Sequence, residues 1–280
     1  MPTRSALIGG STLVWDDVGS GPCVLLIHGF PLCRLLWRPQ ISALTAAGYR
    51  VIAPDLRGFG DSDASSAVAA VDRYADDLIE LLDHLAVDHV VGVGMSMGGY
   101  VLFNLLERFS RRLSAAVFAV TRSLPDDEAG RQRRRQLVQE AQHQGPQAVA
   151  DPFLDLLLPP ELRNSRPRLA EEVYGWMVRT STAGLTAGLL AMAARSDATP
   201  LLATVTMPTL VIGAAEDRAI PPEHSRMIAS GITNSRLVVI PEAGHLVNLE
   251  RPLEFNRALL EFLRDTAPTP LNTDTVLCSC

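Results

Sequence analysis

The sequence predicts an α/β fold: a mostly parallel sheet of about eight strands, flanked by helices and carrying an inserted helical segment. Three observations predict it. Short, nearly continuous apolar runs such as C-V-L-L-I (23–27) and H-V-V-G-V (89–93) read as strands buried on both faces. Helical patterns separate these runs, and strand–helix–strand succession calls for parallel crossovers. The alternation stops near Thr121 and resumes near Thr209, with a helical pattern between.

The elements follow in chain order. L-I (7–8) and S-T-L-V-W (11–15) flank Gly9-Gly10 and predict a β-hairpin on the sheet edge. C-V-L-L-I (23–27) and Y-R-V-I-A (49–53) are the first buried strands. A helix is expected over Asp72 to Leu85, because Leu78, Leu81, Leu82 and Leu85 share one face. H-V-V-G-V then gives a strand, Met97 to Arg108 a helix, and A-A-V-F-A-V (115–120) another strand. In the segment that follows, S-L-P-D-D-E places Pro125 and acids in a first helical turn. P-F-L-D-L-L-L-P-P (152–160) is apolar until two prolines stop it, and Y-G-W-M-V (174–178) is apolar again. An insertion of roughly 80 residues exceeds an ordinary loop, so a helical cap is expected. T-L-V-I-G (209–213) and R-L-V-V-I (236–240) restore the sheet, and Pro252 to Arg264 closes it as a helix. The domain reading is a core of 1–121 and 200–265, a cap of 122–199, and a flexible tail of 266–280.

Composition narrows the classes of partner. The chain has 280 residues, 47% hydrophobic and 20% charged, with a formal charge of -6. That balance argues against nucleic acid or an anionic membrane surface. No run reaches the roughly 18 apolar residues of a membrane span, and the N-terminus lacks a signal peptide's apolar stretch. A cytoplasmic location is expected. Cys23, Cys33, Cys278 and Cys280 are scattered as reduced thiols would be. The terminal C-S-C lacks the basic cluster of a lipidated tail and the third ligand of a metal site. R-Q-R-R-R (131–135) follows Asp126, Asp127 and Glu128 and reads as a solvated helix face, with Asp127 and Arg131 paired at i,i+4. His84, His89, His143 and His224 have no ligand spacing and read as surface or satisfied structural histidines.

The chemistry centres on G-M-S-M-G (94–98), which fits G-x-S-x-G. A strand precedes it and a helix follows, so Ser96 falls on an abrupt turn that demands glycine two positions to either side. A serine hydroxyl needs a base, and the base an orienting acid. His245, in P-E-A-G-H-L after the last strand, supplies the base. After the preceding strand, A-A-E-D-R offers Glu216 and Asp217; Asp217 is the choice and Glu216 the alternative. An oxyanion needs two donors, expected from the backbone N–H of Met97 and that of Phe30 in H-G-F-P (28–31). His28 is expected to bond the loop backbone, and Asp55, Arg57 and Asp61 to brace the neighbouring loop. Met95 and Met97 pack as an adaptable apolar floor. Trp37, Arg122 and Trp176 either line a substrate pocket or simply pack; a cation at Arg122 would suit a substrate carboxylate. Cys33 reads as a small buried apolar residue.

The order Ser96, Asp217, His245, together with H-G-F-P, D-L-R-G-F-G-D-S (55–62), G-M-S-M-G-G and A-G-H-L, resembles the α/β-hydrolase superfamily over about residues 6–265. Serine at the elbow sets the chain apart from haloalkane dehalogenases and epoxide hydrolases, which place aspartate there. Trp37-Arg-Pro-Gln-Ile and T-P-L-L-A-T-V-T-M-P-T-L-V-I-G (199–213) are similar to the 3-oxoadipate enol-lactonase-like bacterial carboxylesterases. The resemblance implies a serine hydrolase for a small ester or lactone, without metal or organic cofactor. Cofactor-free perhydrolases and carbon–carbon bond hydrolases share the same triad, and hydrolase-fold receptors keep it for ligand binding.

Overall fold

A computed structural model describes residues 2–64 and 70–266. The predicted tail from 267 on, with Cys278 and Cys280, lies outside the described residues.

Eight strands form one sheet in the order β1-β2-β4-β3-β5-β6-β7-β8. β1 (Thr3–Ile8) and β2 (Ser11–Val18) make the expected hairpin, turning through Gly9 and Gly10 at φ 56° and 76°. Two successive positive φ values are what a two-residue hairpin turn requires, and glycine adopts them freely. β2 then runs antiparallel to β4, and every later pairing is parallel. The remaining strands are β3 (Cys23–Ile27), β4 (Arg50–Pro54), β5 (Val90–Met95), β6 (Leu113–Ala119), β7 (Thr209–Ala214) and β8 (Ser235–Ile240). β5 and β7 are buried along their whole length.

Helices cover both faces, as the apolar strands require. On one face, α2 (Val71–His84) and α3 (Met97–Phe109) bury Leu78, Leu81, Leu82, Val101 and Leu105 against Leu25, Ile27 and Phe118. On the other, α1 (Arg38–Ala46) and the C-terminal helix Pro252–Thr266 bury Ile41, Leu44, Phe255 and Leu259 against Leu26, Val93 and Val117.

Between β6 and β7 stand α4 (Glu128–Gln144), α5 (Gln147–Leu157), α6 (Pro160–Ser165), α7 (Pro167–Arg179), α8 (Thr182–Ala194) and the short α9 (Thr199–Leu202). The two ends of this insertion are stitched together. Ala198 N–H donates to Ser123 O at 3.0 Å, and the Ser123 and Thr199 hydroxyls meet at 3.0 Å. Beside them Asp126, 1% exposed at its side chain, receives Arg122, Arg134 and Arg195. The expected Asp127–Arg131 pair does not form. Asp127 is instead the N-cap of α4, its carboxylate accepting the Gly130 N–H at 2.7 Å, and Arg131 turns to Glu128. Capping satisfies an otherwise orphaned backbone donor, which outweighs an exposed ion pair.

After β7 come α10 (Pro222–Gly231), the one-turn α11 (Val247–Glu250) and α12 (Pro252–Thr266). All 25 basic residues are arginine; the chain has no lysine. No helix among the described residues is long and apolar enough to cross a membrane.

Candidate active site

Three loops at the carboxyl edge of the sheet carry Ser96, Asp217 and His245, and a fourth, after β3, passes beside the serine. The first follows β5. Ser96 sits at φ 53°, ψ −116°, a strained conformation for a residue with a side chain. It persists because its surroundings hold it: Ser96 N–H donates to Ala119 O at 3.0 Å, and Ser96 O accepts the Thr121 hydroxyl at 2.8 Å. The flanking glycines are demanded by contact. A Cβ on Gly98 would collide with the Ile27 and His28 carbonyls, and one on Gly94 with the Gly98 backbone. Close approach, more than backbone freedom, explains them.

Next to the serine lies the loop after β3. A Cβ on Gly29 would stand 3.1 Å from the Ser96 Cβ, so the loop passes directly over the hydroxyl-bearing residue. His28 holds the loop from beneath. Its Nδ1 bonds Gly29 O at 2.9 Å, and its Nε2 receives the Leu56 N–H at 3.0 Å. A carbonyl partner on one nitrogen and an N–H on the other fix the neutral tautomer with the proton on Nδ1. Burial lowers the His28 pKa to about 4, with Arg34 adding to the effect. The Phe30 ring packs edge-on against Phe59 and against Phe153 of α5, so the inserted helices roof this loop.

The loop is braced by charge. Arg34, 7% exposed at its side chain, reaches Asp55, Asp61 at 2.8 Å and Asp16 at 3.4 Å. Asp55 also accepts the Arg34 N–H at 2.6 Å and the Asp61 N–H at 2.9 Å. Arg57 pairs with Asp77 and so ties this segment to α2. Cys33 is buried beside the cluster, and burial together with Asp55 pushes its thiol up to about 12.

The second and third loops follow β7 and β8. Asp217 and His245 are 0% and 3% exposed at their side chains, and His245 Nδ1 meets Asp217 Oδ2 at 2.8 Å. The other Asp217 oxygen accepts the Ala219 and Ile220 N–H groups at 2.8 and 2.9 Å, which fixes the carboxylate plane. Glu216, the alternative acid, is exposed. With Nδ1 committed to Asp217, Nε2 is the ring nitrogen left open to a further partner. A partly exposed serine with a buried base–acid pair in this order can run nucleophilic catalysis.

The three residues with open roles separate. Trp37 is 0% exposed and packs near Phe255, with ring centroids 6.2 Å apart, so it belongs to the core between α1 and α12. Trp176, on α7, is 5% exposed and joins the same apolar cluster as Met95, Ala243 and Leu246, at the junction of the inserted helices and the sheet edge. Arg122 binds Asp126 and borders a cavity of about 710 Å³ along α3, with Tyr100, Asn104, Ser123 and Arg195. Ser96, Asp217 and His245 are not among the described residues lining that cavity. Thr121, Arg34 and Glu250 had no signal in the sequence, because Thr121 and Glu250 bond backbone groups and Arg34 meets carboxylates that only the fold brings near.

Comparison with known proteins agrees with this architecture. The family model described as the alpha/beta hydrolase fold matches residues 22–252. A Mycobacterium tuberculosis protein named as a non-heme bromoperoxidase, BpoC, is 33% identical, covering 89% of this chain and 97% of its own. The thermophilic esterase of Thermogutta terrifontis superimposes with a TM-score of 0.91 at 34% identity, over 96% of this chain and 100% of the esterase. The enol-lactonase of Burkholderia xenovorans LB400 gives 0.87 at 25% identity, over 93% and 100%. Fold, family model and relatives converge: the chain belongs to the α/β-hydrolase fold family.

Proposed function

We propose that the protein is a serine hydrolase that cleaves a small carboxylic ester or lactone through an acyl-enzyme at Ser96. One observation carries the reading: the buried His245–Asp217 contact stands at the same sheet edge as the strained Ser96 elbow. Ser96 Oγ attacks the carbonyl carbon while His245 Nε2 takes its proton, and Asp217 stabilises the imidazolium. The oxyanion is held by the N–H groups of Phe30 and Met97; Met97 opens α3, where the first N–H groups have no helical acceptor. Collapse expels the alkoxide, which receives the proton from His245. Water then attacks the acyl-enzyme, its proton passes to His245, and the acid leaves as the proton returns to Ser96. In a lactone the alkoxide stays tethered to the acyl group, so one hydroxy acid or its keto form is released. In this reading the inserted helices act as a cap, and Trp176, buried among them, is offered as a substrate contact. Similarity to an esterase and an enol-lactonase supports this substrate class.

The test combines a fluorophosphonate probe with turnover of p-nitrophenyl acetate. The parent is expected to label and to turn over, and Ser96→Ala to lose both. A parent that neither labels nor hydrolyses any short ester overturns the reading and favours a ligand receptor. Kinship with a protein named as a bromoperoxidase favours a second reaction on the same acyl-enzyme. Hydrogen peroxide replaces water there and a peracid leaves, measurable with acetate and peroxide.

A further inference from the structure

Glu250 is a glutamate with an unusual setting. It is 7% exposed, and both of its oxygens are used: Oε2 accepts the Gly244 N–H at 2.8 Å and Oε1 the Leu246 N–H at 3.0 Å. Those two N–H groups belong to the residues immediately before and after His245. A Cβ on Gly244 would stand 3.1 and 3.3 Å from the two oxygens, so glycine there admits the carboxylate. Among the described residues no arginine forms an ion pair with it. Burial pushes its pKa up, while the two N–H bonds and the nearby His245 work the other way and Asp217 adds to the rise. Removing a charge from water without a cationic partner is costly, and a structural turn has no need of it.

We propose that Glu250 is the positioning residue of the His245 loop: its carboxylate brackets the base by holding the backbone on both sides, fixing Nε2 toward Ser96. This rests on the serine-hydrolase reading above. Its own turn is anchored from the cap, since Arg166, at the head of α7, donates to Leu249 O at 3.2 Å and Glu250 O at 3.1 Å. The base and the cap therefore share one point of attachment. The titratable groups facing the carboxylate are His245 and Asp217; the Arg166 guanidinium is spent on the Leu249 and Glu250 carbonyls, and Arg251, next in sequence, on Glu242.

Glu250→Gln keeps the shape but turns an NH2 toward one of the two N–H donors. The expected result is a fall in kcat of about 10- to 100-fold with KM little changed, since misplacing the base costs rate and not binding. Loss of the negative charge beside His245 makes the imidazolium less stable, so the acid limb of kcat/KM moves to lower pH. Glu250→Asp retains the charge but cannot span both donors; it is expected to lower kcat while leaving the acid limb near the parent's. In the parent, the Gly244 and Leu246 amides are expected to resist hydrogen exchange, a measurement that needs no variant to fold. Full kcat with an unmoved acid limb in Glu250→Gln, or both amides exchanging at open-loop rates, overturns this proposal alone. A parent inert to fluorophosphonate and esters overturns the serine-hydrolase reading, and this role with it.

Discussion

At His28 a second proton has nowhere to go, because Nε2 already receives the Leu56 N–H and the ring is fully enclosed. In the unfolded chain the imidazole protonates near pH 6.5, in the folded chain only at about 4. A lowered folded pKa means the unfolded state takes the proton first, so stability is full above about pH 6.5 and falls toward pH 4. The loss amounts to roughly 3 kcal/mol. Urea denaturation at pH 7.5 and 4.5 should show a smaller acid loss in His28→Gln than in the parent; equal losses would refute it. Much at this scale was legible beforehand. The turn that carries Ser96 between glycines, and the places of Asp217 and His245 after β7 and β8, needed only pattern and order. Trp37 and Arg122 were not legible, since an indole or guanidinium reads the same in a core, a pocket or an ion pair. Glu250 was hidden more deeply, because its partners are main-chain groups that carry no letter in the sequence.

The inserted helices are fastened at their roots by Asp126. Burial opposes its charge, yet Arg134 and Arg195 outweigh burial and hold its pKa below the usual carboxylate range. Arg195 also stacks over the Tyr100 ring at 4.1 Å and donates to Leu124 O, so the clamp joins α3 and both chain crossings. Asp126→Ala would leave three guanidinium groups facing one another without a counter-charge. A loss of about 3 kcal/mol or more is expected on urea denaturation, with faster tryptic cleavage inside α4 to α8. Unchanged stability and cleavage would show that the stitching through Ser123, Ala198 and Thr199 suffices alone. The helical nature of this segment was readable from its prolines and apolar runs. Its fastening was not, because Asp126 and Arg195 are 69 residues apart. Asp127 shows the same limit from the other side: i,i+4 spacing pointed to Arg131, while the capping geometry that claimed the carboxylate appears only once the helix start is known.

Over the whole molecule, strand order was the least visible property. Continuous apolar runs announced a parallel sheet buried on both faces, and they do not say that β3 inserts between β4 and β5. That order follows from right-handed crossovers and from the hairpin occupying one edge. Charge, by contrast, can be counted directly, and its makeup has a consequence. A protein with lysines loses its ammonium charges near pH 10.4, and its ion pairs with them; guanidinium stays charged. Here nothing cationic gives way, so alkaline unfolding falls to the acids that titrate late. Burial raises the Cys23 thiol to about 11 and the Cys33 thiol to about 12. A raised folded pKa leaves stability intact below the unfolded value and drains it as pH climbs, by about 3 kcal/mol for each thiol near pH 11. Replacing both cysteines with alanine should therefore flatten the alkaline limb of the stability curve between pH 8 and 11, measured by urea denaturation. An unchanged slope would place the weakness elsewhere. Burial also raises the Tyr74 and Tyr49 hydroxyls, so in a chain whose cations are all arginine the brittleness at high pH is that of its buried thiols and phenols.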